Sequence, residues 1–202
     1  MSIHRYWRVK TAPAAVAVST ADAKTHLRVT DSDSDTYIAA LVALATSVYE
    51  GRACTSLINQ TLVLYLDRFP HDGSGPIWLP GGPVAAISTV KYYDAGMTLT
   101  ELAAAAYRLN LYQDVAALEP AYGYVWPSAR EGITGAVEIE YTTGYGAAAT
   151  NLPVIPVHAI KFLTGHYFER REPTGEDIVH DVPETFDALV QLDVHRRLPP
   201  QE

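Results

Sequence analysis

The chain has 202 residues, with 15 Lys and Arg against 23 Asp and Glu, a formal net charge of −8. That sign argues against a protein that wraps nucleic acid, since such binders present a basic face to the phosphates, but it permits a wall that DNA passes without being gripped. Apolar residues at 48% and charged residues at 19% are those of a globular protein long enough for one large domain or two small lobes, each with a core.

Residues 1–18 read as extended. WRVKTAPAAVAV holds a proline and no helical stripe, so it is expected to lie along a neighbouring element of this subunit or the next. The stretch is too mild for the apolar core of a secretory signal, and no run in the chain reaches the ~18 apolar residues of a membrane span. A short helix is expected over 19–27, with Ser19 as N-cap and Asp22 three residues on in a capping-box-like spacing. Asp31, Ser32, Asp33, Ser34 and Asp35 precede a stronger helix whose stripe is Ile38, Leu41, Val42, Ala45, Val48 and Tyr49. The acidic run resembles the opening of a calcium loop. Its sixth position is Thr36 where glycine is needed, and its twelfth is Val42 where Glu is needed, so helix capping is the better reading. Cys54 is the only cysteine. An intrachain disulfide and a cysteine zinc site are therefore impossible, and the thiol is expected to be buried among apolar helical neighbours.

From Gln60 the apolar period changes to two. TLVLYLDRF, IWLP, VAAISTVKYY, YRLNLY and GAVEIEY read as strands, separated by PHDGSGP, GGP and DAGM turns. TLTELAAAA is ambiguous between strand and helix. A helix with Pro156 in its first turn follows over 153–172, its apolar face formed by Val157, Ile160, Leu163, Thr164, Tyr167 and Phe168; Pro173 and Gly175 stop it. A polar loop, EPTGEDIVHD, leads to a last helix from about Pro183 with Phe186, Leu189, Val190 and Val194 on one face, and Pro199 and Pro200 end it. The segregation of helices and strands predicts an α+β fold: a small helical bundle from 1–59 and 147–202, with 60–146 as an inserted antiparallel β region.

No residue pattern supports catalysis. A nucleophile elbow, a zinc-protease helix and a phosphate-cradling loop are all missing from the sequence. His158 and His166 stand eight apart rather than four, and read as ordinary helix histidines. Glu138 and Glu140 alternate on a strand and read as a solvated sheet face; Asp177, His180 and Asp181 read as an acidic loop. No catalytic residue, metal ligand or cofactor is assigned. Tyr92, Tyr93, Tyr107, Tyr112, Tyr122, Tyr124 and Trp126 read first as part of a β core, with a protein interface or a carbohydrate platform as the other readings.

Taken in order, VSTADAKTHLRV, SDSDTYIAALVALATSVYEGRACTSLINQTLVLYLDRFP, IWLPGGPVAAISTVKYYD, YRLNLY, a WP at Trp126, AVEIEYTTGYG and IPVHAIKFLTGHYFERRE resemble the head–tail connector proteins, or adaptors, of long-tailed bacteriophages and gene transfer agents. The resemblance implies a non-enzymatic ring subunit, commonly twelve-fold, beneath the portal of a DNA-filled capsid. Such a ring binds the portal on one side and a downstream neck or tail protein on the other, and double-stranded DNA passes through it without sequence-specific binding. The alternatives are another neck or tail protein, a stopper or tail terminator, or a small carbohydrate-active enzyme. Acidic copies repel one another, so ring formation is expected on the portal, which raises their effective concentration. The last helix is the expected portal-docking element, through Phe186, Leu189, Val190, Leu192 and Val194, with Arg196 and Arg197 pairing portal carboxylates at the rim.

Overall fold

A computed structural model describes residues 5–70, 73–112, 115–170 and 184–193. Ser19 caps helix α1 (Thr20–Leu27): its Oγ accepts the backbone N–H of Asp22 at 3.0 Å, as the spacing predicts. In the acidic turn, Asp31 Oδ1 accepts the Asp33 N–H at 3.1 Å. Asp35 begins helix α2 (Asp35–Ala53), and its carboxylate meets Lys24 of α1 at 2.5 Å. These carboxylates therefore organise a turn and tie two helices. Helix α3 (Val154–Glu169) carries Pro156 in its first turn and buries Pro156, Ala159, Ile160, Leu163 and Thr164. The buried Thr164 hydroxyl is satisfied by the Ile160 carbonyl at 2.8 Å. Helix α4 (Glu184–Asp193) closes the bundle. Ile38, Val42, Ala45 and Tyr49 of α2 share one core with Ile160 and Leu163 of α3 and Phe186 and Val190 of α4.

The β region contains β2 (Gln60–Leu66), β3 (Ile77–Trp78), β4 (Val84–Tyr93), β5 (Leu99–Glu101), β6 (Tyr107–Asn110), β7 (Ala117–Pro120) and β8 (Val137–Thr143). An N-terminal strand, β1 (Arg5–Thr11), joins them. One antiparallel sheet has the order β1-β2-β8-β4-β5 and a second the order β3-β7-β6. Period-two alternation puts Leu62, Leu64 and Leu66 beside Tyr141, Ile139 and Val137 in register. This apolar face shares a core with Ile77 of β3 and Leu118 of β7, and is plugged by Phe69 and Trp126, stacked 5.1 Å apart. Each fully buried Leu or Ile contributes roughly 1.5–3 kcal/mol. The fold is thus α+β, a helical bundle joined to two packed antiparallel sheets.

Four readings of the sequence change. Residues 5–11, grouped with the bundle, form an edge strand of the larger sheet against β2. The ambiguous 98–106 stretch splits into β5 and a 3-10 turn at Ala104–Ala106. β7 has no counterpart among the predicted strands. Cys54 is exposed rather than buried: it is the α2 C-cap, at φ 51 in the left-handed region, and that turn swings its side chain away from the buried stripe.

The lobes join where residues 55–59 meet 80–83 and 143–146. Asn59 N–H donates to Gly146 O at 2.9 Å, Tyr145 N–H to Leu57 O at 3.0 Å, Gly144 N–H to Pro83 O at 2.8 Å and Ser56 N–H to Gly82 O at 2.8 Å. Thr143 Oγ1 donates to Gly81 O, and the Tyr141 hydroxyl to Pro80 O at 2.8 Å. Gly144 sits at φ 132, and an added Cβ would lie 2.6 Å from the Asn59 backbone nitrogen. Substituting Gly144→Ala is therefore expected to cost at least about 2 kcal/mol, from a close backbone approach and an unfavourable φ together. Phe186→Ala should lose about 3–5 kcal/mol. Denaturant unfolding checks both; a loss below 1 kcal/mol for Phe186→Ala would mean that α4 is not part of the subunit core.

Candidate interaction surfaces

Among the described residues no group of three or more His, Cys, Asp and Glu is placed to hold a metal ion, and no helix is long and apolar enough to cross a membrane. His158 is exposed on α3. His166 lies beside Tyr167, with ring centroids 5.8 Å apart; burial first, then Arg170, holds its imidazole below the ordinary pKa. Glu138 and Glu140 occupy the face of β8 opposite the core: in register, Glu138 lies between Tyr65 and Lys91, Glu140 between Val63 and Thr89. Glu140 pairs with Lys10 at 2.6 Å. Asp177, His180 and Asp181 lie outside the described residues.

The tyrosines divide by position. Trp126 is buried, its Nε1 donating to Gly75 O at 2.8 Å. Tyr92 and Tyr107 pack against the β core, Tyr92 edge-on to Phe69 at 5.8 Å. Tyr112, Tyr122 and Tyr124 are exposed. Tyr112 follows the end of β6 and Tyr122 the end of β7, which are opposite ends of one hairpin, so they do not make one platform.

The α4 face turns inward. Phe186 is fully buried, edge-on to Tyr49 at 6.2 Å. Val190 is buried, and Leu189 packs partly against the same core. Arg52 of α2 ion-pairs with Asp187 and lies 5.8 Å over the Phe186 ring. The structure thus gives Phe186 and Val190 to the subunit's own core, not to a free docking face: an apolar face within reach of its own bundle is buried there first. Leu192 remains exposed. Val194, Arg196 and Arg197 lie outside the described residues.

Two surfaces were not apparent from sequence. The first is β1. Tyr6 stacks on Tyr65 at 4.8 Å, and Arg8 donates to the Tyr65 hydroxyl at 2.9 Å on the outer face. Trp7 and Val9 align with Leu64 and Leu62 on the core face, yet stay exposed beyond the cover of the smaller sheet. The second is a groove of about 260 Å³ between 13–18 and α2, lined by Val16, Val42, Ala43, Leu57 and Glu50 among others.

No family model matches the chain, and no curated protein matches it. Chains of solved structures do, among them three over nearly its whole length. A chain in the virion of a native gene transfer agent particle is 27% identical, covers 96% of this chain and 97% of its own, and superposes with a TM-score of 0.76. A chain in the neck of an empty particle of this kind, computed with C6 symmetry, is 27% identical over 97% of both chains, with a TM-score of 0.77. One in the neck of the native particle, computed with C12 symmetry, is 26% identical over 97% of both, with a TM-score of 0.75. These neighbours bear out the resemblance to head–tail connector proteins drawn from the sequence.

Glu50 tests how the groove is held. Its Oε1 accepts the Leu57 N–H at 2.8 Å, but burial, the larger effect, raises its pKa above the ordinary carboxylate value. A raised folded pKa means that the native state binds the proton more tightly than the unfolded chain. Stability is then greatest at low pH and falls as pH rises through the folded value. Glu50→Gln keeps an acceptor and removes the charge. It is expected to raise the melting temperature at pH 7, with the gain vanishing below about pH 4, where both states hold the proton. Scanning calorimetry across pH checks this; an equal gain at every pH would contradict it.

Proposed function

We propose that this chain is a structural subunit of the neck of a phage-like gene transfer particle. It is an adaptor that forms a ring between the portal of the DNA-filled head and the tail. The observation that carries the reading is the match along both chains, over 96–97% of each, to components of such particles and their necks. A match of that extent includes bundle, sheets and their junction together, so it is not a shared small motif. Neighbours computed with C6 and C12 symmetry support a cyclic ring, which we take as twelve-fold and which suits a subunit whose exposed apolar strand needs a cover.

The net charge of −8 fits a channel wall that DNA slides past, because an acidic surface offers phosphates no counter-charge. The portal contact is assigned to the far end of α4. Phe186, Leu189 and Val190 fasten that helix to the bundle, while Leu192 and the following Val194, Arg196 and Arg197 are offered to the portal. Catalysis has no part in this role, which is one of shape and contact.

Removing the chain from producing cells is expected to leave DNA-filled heads and separate tails that do not join; tailed particles at the normal yield would overturn the reading. Deleting residues 194–202 should leave melting within a few degrees of the full chain, since Phe186 and Val190 are retained, while attachment to portal-bearing heads is lost. Attachment at full strength would move the portal contact elsewhere on the subunit.

A further inference from the structure

The larger sheet has two edges, and they lie at opposite ends of its strand order: β1 and β5. Among the described residues neither has a strand on its outer side. At the β1 edge Trp7 is 49% and Val9 45% exposed on the core face and Tyr6 45% exposed on the outer face. The strand carries Arg5, Arg8 and Lys10 and no carboxylate of its own, and Lys10 is paired with Glu140 of β8. At the β5 edge Leu99 is 42% exposed, Met97 is exposed beside it, and the Glu101 carboxylate is held only at 3.9 Å by Lys91. A long apolar edge strand invites another strand or chain. Both edges combine exposed apolar side chains with charge, and the charges are opposite.

A cyclic ring joins two different surfaces, one from each flank of the subunit. It also constrains strand direction: rotation about the ring axis leaves a strand's direction along that axis unchanged. Every neighbouring pair in the larger sheet is antiparallel, so the first and fifth strands point the same way. β5 of one copy can therefore lie beside β1 of the next with no reversal of either. An even number of strands in this sheet would have placed the two edges in opposite directions.

From these observations, and resting on the ring reading above, we infer that the partner of the β1 edge is the β5 edge of a second copy of this chain. Leu99 and Glu101 align with Tyr93 and Lys91 on the outer face, the face of Tyr6 and Arg8. There Tyr6 of one copy lies beside Leu99 of the next and Arg8 faces Glu101, while on the core face Trp7 lies beside Thr100. The contact sets positive against negative charge within an acidic chain, which offsets part of the repulsion between copies. It also takes the exposed sides of Tyr6 and Leu99 out of water.

The test places one cysteine on each edge, Tyr6→Cys and Leu99→Cys, both on the outer face, in a chain whose exposed Cys54 is replaced, Cys54→Ser. Purified particles carrying the double variant are treated with a short bis-maleimide. A ladder of dimers and higher multimers is expected from the double variant and none from either single variant. Particles that hold the double variant at normal copy number but yield only monomer would overturn the contact and leave the ring reading standing. Particles that lack even the unaltered chain would overturn both. Amide exchange on the unaltered chain gives a second reading that needs no variant. Between free subunit and particle, exchange at residues 6–9 and 97–101 should slow together by about tenfold or more; slowing confined to other segments would overturn the contact.

Discussion

The structure depends on a backbone crossing that admits no side chain. The chain leaves the helical bundle through residues 57–60 and returns through 143–146, and at that crossing Gly144 lies against the Ile58 and Asn59 backbone with no room for a Cβ. Around it the strands hand hydrogen bonds to the loop at 80–83, through Gly144 N–H and the Thr143 hydroxyl. The Tyr141 hydroxyl is buried with its pKa pushed up by that burial, so it stays a neutral donor to Pro80. Polar groups at this depth are costly unless paired. Here they pair with one another across the two lobes, which makes the junction a joint with a fixed geometry.

That geometry has consequences at both ends of the molecule. In the bundle, α3 enters directly after the junction and sets the groove between itself and α2 into which Phe186 of α4 fits. In the sheet, β2 and β8 both run from the junction, and β1 and β4 pair on their outer sides. A subunit built this way has two lobes that present different chemistry at a constant relative placement. Ring closure asks for such constancy, because small errors at each contact accumulate around a circle.

Much of the fold was legible in the sequence because local pattern and buried face coincide. The α2 stripe, the Ser19 cap, Pro156 in the first turn of α3 and the alternation of β2 and β8 are all short-range signals. What was not legible depends on residues far apart. β1 reads as extended, but that it pairs with β2 is decided 50 or more residues later. β7 is short and ends in Pro120, and its partners are found only once β3 and β6 are in place. Cys54 was misread because neighbours in sequence were taken for neighbours in space; a left-handed C-cap separates them. The α4 face carried a clear apolar signal, yet periodicity does not say whether such a face serves its own bundle or a partner. The candidate assembly edges were invisible for a further reason: Tyr6 and Leu99 are 93 positions apart in the chain, and the relation proposed between them belongs to two copies.

The central claim is that this chain builds a closed ring in the neck. Counting it there is the most direct measurement. Necks isolated from intact particles, weighed by native mass spectrometry and imaged without imposed symmetry, should contain this chain at the twelve copies of the proposed ring, in one layer directly beneath the portal. Necks complete with portal and tail that contain no copy of it, or copies scattered without cyclic order, would contradict the account.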